Sequence, residues 1–128
     1  MTQVLVPVSI GELVDKITIL RIKQRHIEDA GKLRRVGTEL EALQEVCAQA
    51  GIDLTSPLVA ELEAINLKLW KIEDDIREKE RRKTFDAGFI ELARAVYVVN
   101  DERFAVKARI NAETGSTLRE EKSYKEYR

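Results

Sequence analysis

Apolar residues recur at alternating steps of three and four residues over most of this chain, and this spacing limits its fold more than any other feature. The longest unbroken example is the series Leu58, Leu62, Ile65, Leu69, Ile72 and Ile76. Because an α-helix has 3.6 residues per turn, residues at this spacing line one helix face. The pattern predicts an all-α protein whose helices pack through heptad seams, as in a coiled coil.

The first two helices are predicted from their start and stop residues. Ser9 followed by Glu12 has the form of a capping box, in which each residue satisfies a backbone N–H at the helix start. We expect the first helix to end near Gly31 and the second near Gly51, because glycine readily adopts the left-handed conformation after a helix. The apolar residues of the first helix lie on more than one side, which predicts burial by several neighbours.

The third and fourth helices are predicted to be the longest, over roughly residues 57–83 and 86–114. Ser56 and Pro57 form a strong helix start, and Gly115 is the matching stop. The joints between helices are short, so sequential helices should be antiparallel. The expected architecture is a pair of helical hairpins, or a four-helix bundle, in a single domain over residues 1–128.

The two ends of the chain are predicted to differ from this helical body. Residues 1–8 should be extended, because they contain four β-forming residues around Pro7, which disfavours helix. Such a segment can pair with a second copy as an edge strand. Residues 116–128 should form a tail, or a short fifth helix capped by Thr117 and Glu120.

Charge and composition argue against several classes of function. The 22 lysines and arginines balance 23 aspartates and glutamates, whereas a nucleic-acid partner requires a basic excess. One cysteine and one histidine provide neither a disulfide nor a zinc site, and we expect no metal and no cofactor. No apolar run approaches the roughly 20 residues of a membrane span, so we predict a cytoplasmic protein that is not integral to a membrane.

A polar stripe on the fourth helix is the strongest candidate for a binding site. Its members follow each other at helical spacing along or beside the apolar seam: Tyr97, Asn100, Arg103 or Phe104, Lys107 and Asn111, with Asp101 adjacent. Cations and amides on one groove can hold a carboxylate, a phosphate or a sugar. Alternatively, these residues set helix register and pair with Glu73, Asp74 or the tail.

The charged tail is the second part of this candidate site. It carries Glu120, Glu121, Lys122 and Tyr124 and has little apolar surface to bury. A turn at Gly115 would let the chain double back, so that two tail carboxylates face two cations of the stripe. We therefore predict that the tail meets the stripe and that together they form the most functional surface.

Two other charged segments have simpler interpretations. Trp70 is more typical of a large core residue than of a stacking platform, although we include it among the candidate partner-binding residues. Glu73 and Arg77, also candidates, are four residues apart and form a weak helix-surface pair. Asp15 and Lys16 lie inside an apolar stretch, and a solvated helix face is the expected explanation for both.

Several short segments of this sequence resemble a family of short bacterial proteins of unknown function. The resemblance is carried by residues 6–13, 15–20, 69–77, 89–94, 100–101, 103, 107, 110–111, 115–116 and 120–124. The resemblance assigns no activity, but some members of this family accompany glycosyltransferases of surface-polysaccharide synthesis. The chain departs from the family pattern at Phe104, where alanine is usual, and this bulkier residue should alter the groove.

Two functional hypotheses follow. The leading one is a non-enzymatic helical interaction protein, an accessory to bacterial cell-surface glycan synthesis with a protein partner such as a glycosyltransferase. The alternative is a small all-α enzyme or anionic-ligand-binding protein with a polar groove on the fourth helix. A buried polar groove favours the alternative, and a solvent-facing stripe favours the first. We also predict a homodimer or higher oligomer, because apolar residues such as Leu67 and Val98 exceed what one bundle can cover.

Overall fold

The computed structural model describes residues 2–128, and these fold into four helices without a strand. The helices are α1 (Ile10–His26), α2 (Ala30–Ala50), α3 (Pro57–Arg81) and α4 (Ala87–Thr114). The prediction of an all-α fold is confirmed. The bounds of α3 and α4 lie within two residues of the predicted ones because proline, glycine and the apolar seam mark them locally.

The helix ends show which local signals decided the boundaries. The Ser9 hydroxyl accepts a hydrogen bond from the Glu12 N–H at 3.1 Å, so half of the capping box forms. Gly51 and Gly115 adopt left-handed conformations, with φ of 71° and 67°. The expected stop at Gly31 is wrong: the Asp29 side chain caps α2 from outside, and Gly31 lies within that helix.

Helix α1 is the centre of the molecule, since it packs against each of the other three helices. One apolar cluster joins α1 to α3 and α4 and includes Val14, Leu62 and Val106. A second cluster, which includes Ile17 and Leu40, joins α1 to α2. Helix α2 makes substantial contact with α1 alone, whereas α3 and α4 also pack against each other as an antiparallel hairpin.

The far half of this hairpin, residues 67–98, extends beyond α1, and we call it the arm. No residue of the arm is fully buried, although the remaining part of each helix contains several fully buried residues. Its apolar seam is half-covered by the opposite helix of the hairpin. The arm is therefore two helices thick, while the rest of the hairpin rests on α1.

Most residues of the two terminal segments are exposed. Residues 2–8 lie on the surface and belong to no strand, so pairing of this segment with a second copy stays a prediction. The tail, residues 116–128, contains no helix, and the short fifth helix does not form. Within the described chain, residues 2–128, no helix is long and apolar enough to span a membrane.

Candidate functional site

The start of α1 is tied directly to the end of α4. The Gly11 N–H donates to the Asn111 side-chain oxygen at 2.7 Å, and the Ile10 N–H donates to the Ser116 hydroxyl at 3.0 Å. These bonds satisfy two of the N–H groups that a helix start leaves free. A Cβ atom on Gly11 would lie 2.7 Å from the Lys107 carbonyl oxygen, so only glycine permits this approach.

A buried carboxylate lies one turn further along α1. The Asp15 side chain is 1% exposed and accepts hydrogen bonds from both Nε and Nη2 of Arg103. The Asn66 amide also donates to Asp15 at 2.8 Å and to the Thr18 hydroxyl at 2.9 Å. The expectation of a solvated Asp15 is wrong, because α3 and α4 cover this face of α1; Lys16, 49% exposed, is solvated as expected.

Lys107 lies beside this pair and contacts three carboxylates. Its side chain is 6% exposed, and its ammonium nitrogen is 2.7 Å from Glu12 Oε2 and 3.0 Å from Glu120 Oε1. Asp15 Oδ2 is 3.9 Å away. Burial by itself would lower the pKa of Lys107, but the hydrogen bonds to Glu12 and Glu120 and the charge of Asp15 outweigh it and raise that pKa above its ordinary value.

Hydrogen bonding and charge also fix the state of Arg103. The hydrogen bonds to Asp15 raise the pKa of Arg103, so the guanidinium stays protonated. Glu12, Asp15 and Glu120 supply three negative charges to this cluster, and Arg103 and Lys107 supply two positive ones. The two cations of the stripe are thus fully neutralised within the folded chain.

The tail lies along α4 and encloses a groove of about 450 Å³. We call it the tail groove. Its walls combine predicted residues of the stripe and of the tail: Tyr97, Asn100, Asp101, Arg103 and Lys107 on α4, and Glu120, Lys122 and Tyr124 on the tail. The structure brings these eight together. Phe104, the unusual residue beside Arg103, contributes an aromatic wall.

A second set of contacts holds the tail beside Asp101. The Lys122 ammonium is 3.2 Å from Asp101 Oδ1 and 5.2 Å from the centre of the Phe104 ring. The Tyr127 hydroxyl donates to Asp101 Oδ2 at 2.5 Å, and its ring packs edge-on against Tyr97. The hydrogen bonds from Tyr127 and Lys122 lower the pKa of Asp101.

The two amides of the stripe support the groove, whereas Glu121 takes no part in it. The Asn100 amide donates to the Val96 carbonyl at 2.9 Å and accepts from Arg103, so it fixes the guanidinium. Asn111 is buried beneath the groove, where it caps α1. Glu121 is exposed, and within residues 2–128 it forms no ion pair.

Trp70, Glu73 and Arg77 lie on the arm, outside the tail groove. The Trp70 ring packs at 5.4 Å from the His26 ring, where α1 ends against α3. Glu73 and Arg77 form an exposed ion pair within α3. In the described residues 2–128, no ion pair joins Glu73 or Asp74 to the stripe, and Glu73 pairs with Arg77 instead.

Sequence reasoning missed the residues that balance the charge of the stripe. Asp15, Thr18 and Asn66 form the buried network, and Glu12 reaches across to Lys107. The burial of Asp15 could have been predicted from the sequence. Helix α1 is apolar on several sides, so a polar residue that lies between its apolar positions is also buried. Nothing local identified Asn66, which lies on a different helix.

The chemistry of the site suits recognition by hydrogen bonds, ion pairs and ring contacts. Within residues 2–128, no group of three or more His, Cys, Asp or Glu is placed to hold a metal ion. Every buried side-chain nitrogen or oxygen of this described region has a hydrogen-bond partner. On the side of α1, the buried polar groups of the site are therefore all hydrogen-bonded. On the side of the tail, the site is a groove that is open to solvent.

Comparison with protein families gives a match that covers nearly the whole chain. Residues 4–127 match the model of a family of unknown function, DUF6165. Neither the curated proteins nor the solved structures give a match.

Proposed function

We propose that this chain, which belongs to the family of unknown function DUF6165, is a non-enzymatic interaction protein that acts as a homodimer through its arm. The observation that carries the proposal is the incomplete burial of residues 67–98. An isolated pair of helices leaves the flanks of its apolar seam in water, and a second pair would cover them.

Apolar side chains are exposed at both ends of the arm. At the tip, Phe85 and Ile90 are 56% and 57% exposed. At the root, Leu67 and Trp70 border a hollow of about 530 Å³. In an antiparallel pair related by a two-fold axis, each tip would lie against the other root, so that one patch serves both copies.

The charges of the arm do not set this register, because those on α3 pair within the chain, as Glu73 does with Arg77 and Glu78 with Arg81. A face about 24 Å long and two helices wide would bury on the order of 1,000 Å² in total, near the lower limit for a specific dimer.

Light scattering after size exclusion tests this association. We expect the wild-type chain to elute with about twice its 14.6 kDa mass at micromolar concentration. Phe85→Asp places a charge in the tip contact and should yield the monomer. Val46→Asp is the matched control, because Val46 is also exposed but lies on α2, away from the arm. A wild-type mass of 14.6 kDa, or equal masses for the two variants, would contradict the proposal.

The cellular location and the biological process that we propose for the dimer rest on the sequence resemblance and not on contacts within the structure. We place it in the bacterial cytoplasm, as an accessory to a glycosyltransferase of cell-surface glycan synthesis. Co-purification with such an enzyme after co-expression tests this, and Phe85→Asp shows whether the partner requires the dimer. Failure to co-purify with either form would remove the glycan assignment and leave the dimer untouched.

A second candidate function is ligand binding in the tail groove. It is favoured by the burial of Lys107 and Asn111 and the half-burial of Asn100 and Arg103, because a polar groove rather than a solvent-facing stripe was the feature expected of a ligand binder. A thermal-shift screen of the full chain against nucleotide sugars, acyl phosphates and acidic metabolites tests it. A ligand for this groove should raise the melting temperature of the wild type but not of Lys107→Met.

A further inference from the structure

We infer that the tail is a built-in, displaceable segment that covers the α4 wall of the tail groove, and that this wall binds a peptide segment of a partner carrying a carboxylate two positions before an ammonium. This inference deepens the second candidate function, binding in the tail groove, and does not depend on association through the arm. It rests on how the tail is held, on the charge balance around Lys107 and on the aromatic contacts of Lys122.

The tail is held on α4 by polar contacts of Glu120, Lys122 and Tyr127 and by one ring contact, rather than by an apolar core. Glu120 and Lys122 each reach one oppositely charged residue of α4, Lys107 and Asp101. Most tail residues are exposed, and the segment has no helix of its own. Each of these ion pairs contains a carboxylate that is more than 40% exposed, so the docked tail can exchange with an external segment that reproduces the contacts.

The position of Glu120 defines the charge of the group that can replace it. With the tail released, Glu12 and Asp15 balance Arg103 and Lys107 one for one. A single carboxylate then restores the arrangement seen with Glu120. A phosphate monoester brings about two negative charges to the same place and would repel the remaining carboxylates. The site therefore selects a carboxylate over a phosphate.

The position of Lys122 defines the second half of the site. Its ammonium lies near Asp101 and between the rings of Phe104 and Tyr124, at 5.2 and 5.5 Å from their centres. An aromatic face beside a carboxylate attracts a cation through both the ring quadrupole and the charge. When the tail leaves, Asp101 and Phe104 remain on α4 and can receive an ammonium from another chain.

The order of these two subsites gives the groove a direction. The carboxylate subsite at Lys107 and the ammonium subsite at Asp101 are filled by residues two apart in the tail, Glu120 and Lys122. A partner segment with the sequence Glu-x-Lys matches both subsites, whereas Lys-x-Glu in the same direction presents like charges to each. Charge order thus provides specificity through repulsion as well as attraction.

Peptide binding to the full-length chain tests the inference. The probe is a fluorescein-labelled peptide with the sequence of residues 116–128, and fluorescence anisotropy reports its binding. The wild type is compared with the released-tail variant Glu120→Ala/Lys122→Ala/Tyr127→Ala, which removes these contacts of the tail with α4 and leaves the α4 wall of the groove unchanged. The matched control is Glu121→Ala/Lys125→Ala, since these tail residues form no ion pair in the described chain.

We expect the released-tail variant to bind the probe at least about fivefold more tightly than the wild type, because a competing tail reduces the fraction of open groove. The control variant should bind like the wild type. Adding Asp101→Asn to the released-tail variant should abolish binding. A peptide with phosphoserine in place of Glu120, or with Glu120 and Lys122 exchanged, should bind at least about tenfold more weakly than the probe.

Three results would overturn the inference. They are equal affinities of the wild type and the released-tail variant, no binding by that variant up to about 1 mM peptide, and equal binding of the charge-exchanged peptide. Because the monomeric variant Phe85→Asp leaves the groove intact, its peptide affinity should equal that of the wild type. Failure of the arm dimer and failure of the peptide site therefore give separate signals.

Discussion

The base of the molecule and the arm use the same hairpin of helices in opposite ways. At the base, α1 lies against α3 and α4, and polar side chains such as Asp15 and Asn111 are buried and fully paired. On the arm, no residue is fully buried, and the apolar side chains are half-covered or exposed. The difference indicates that the base determines the stability of the fold, while the arm offers surface to another molecule.

The physical cause of the difference is the length of α1. Its 17 residues cover only the part of the hairpin near residues 58–66 and 99–111, whereas α3 and α4 have 25 and 28 residues. A buried charge requires partners on all sides, and three helices can supply them. Two helices cannot, so charged residues of the arm stay in water.

The largest effect is expected from Asp15→Ala at the base. The change leaves Arg103 without its buried partner, and it should lower the free energy of unfolding by about 3–5 kcal/mol. Lys16→Ala, next along the same helix but exposed, should change it by less than about 1 kcal/mol. Urea unfolding followed by circular dichroism measures both. Similar losses for the two variants would mean that the buried network adds little to stability.

A direct comparison of the two regions uses one apolar residue from each. Leu62→Ala at the base removes a fully buried side chain and should lower the free energy of unfolding by about 2–5 kcal/mol. Ile76→Ala on the arm removes a half-buried one and should lower it by about 1–2 kcal/mol at concentrations where the chain is monomeric. Equal losses by denaturant titration would show that the arm is as well packed as the base.

Glycine substitutions test how closely α1 approaches α4. Gly11→Ala forces a Cβ atom to 2.7 Å from the Lys107 carbonyl oxygen and should lower the free energy of unfolding by about 1–3 kcal/mol. Gly37→Ala is the control, because its nearest contact is 3.9 Å away, and it should raise that free energy by up to about 1 kcal/mol. If the melting temperatures of both variants move in the same direction, the close approach is not limiting.

The smallest effect is expected in the alkaline range, from Lys107. Its pKa is raised in the folded chain, so above its ordinary value of 10.5 the unfolded chain loses the proton first. The stabilisation is therefore complete below that value and declines as the pH rises through the folded pKa. Urea unfolding at about pH 8 and 11 should show a steeper decline for the wild type than for Lys107→Met. Cys47 and Tyr127, whose pKa values are also raised, act in the same direction in both proteins.

The polar stripe is the part of the candidate site that the sequence predicts best. The helical spacing of Tyr97, Asn100, Arg103 and Lys107 predicts that they share one face of α4, and the turn at Gly115 predicts that the tail returns to that face. The pairing was different from the predicted one. Arg103 is bound by Asp15 of α1, and one tail carboxylate, Glu120, reaches Lys107, while Glu121 stays in solvent.

Helix boundaries were predictable where the signal lay within a few residues of the boundary. A helix boundary depends on backbone groups within a few residues of it. The roles of Ser9, Pro57, Gly51 and Gly115 can therefore be predicted from the neighbouring sequence. The error at Gly31 arose where two local signals competed. Asp29 offered a side-chain cap to the following helix, and that hydrogen bond outweighed the tendency of glycine to end the preceding one.

What the sequence determined by itself is the number, the approximate limits and the apolar faces of the helices, because each depends on residues three or four apart. What only the tertiary structure decided is which polar residues are buried and which partners they meet. Asp15 and Arg103 are 88 residues apart, and Lys107 meets Glu12 across 95 residues. Such pairs exist only when α1 packs between the other helices, since the environment of a charge is set by everything that surrounds it in space.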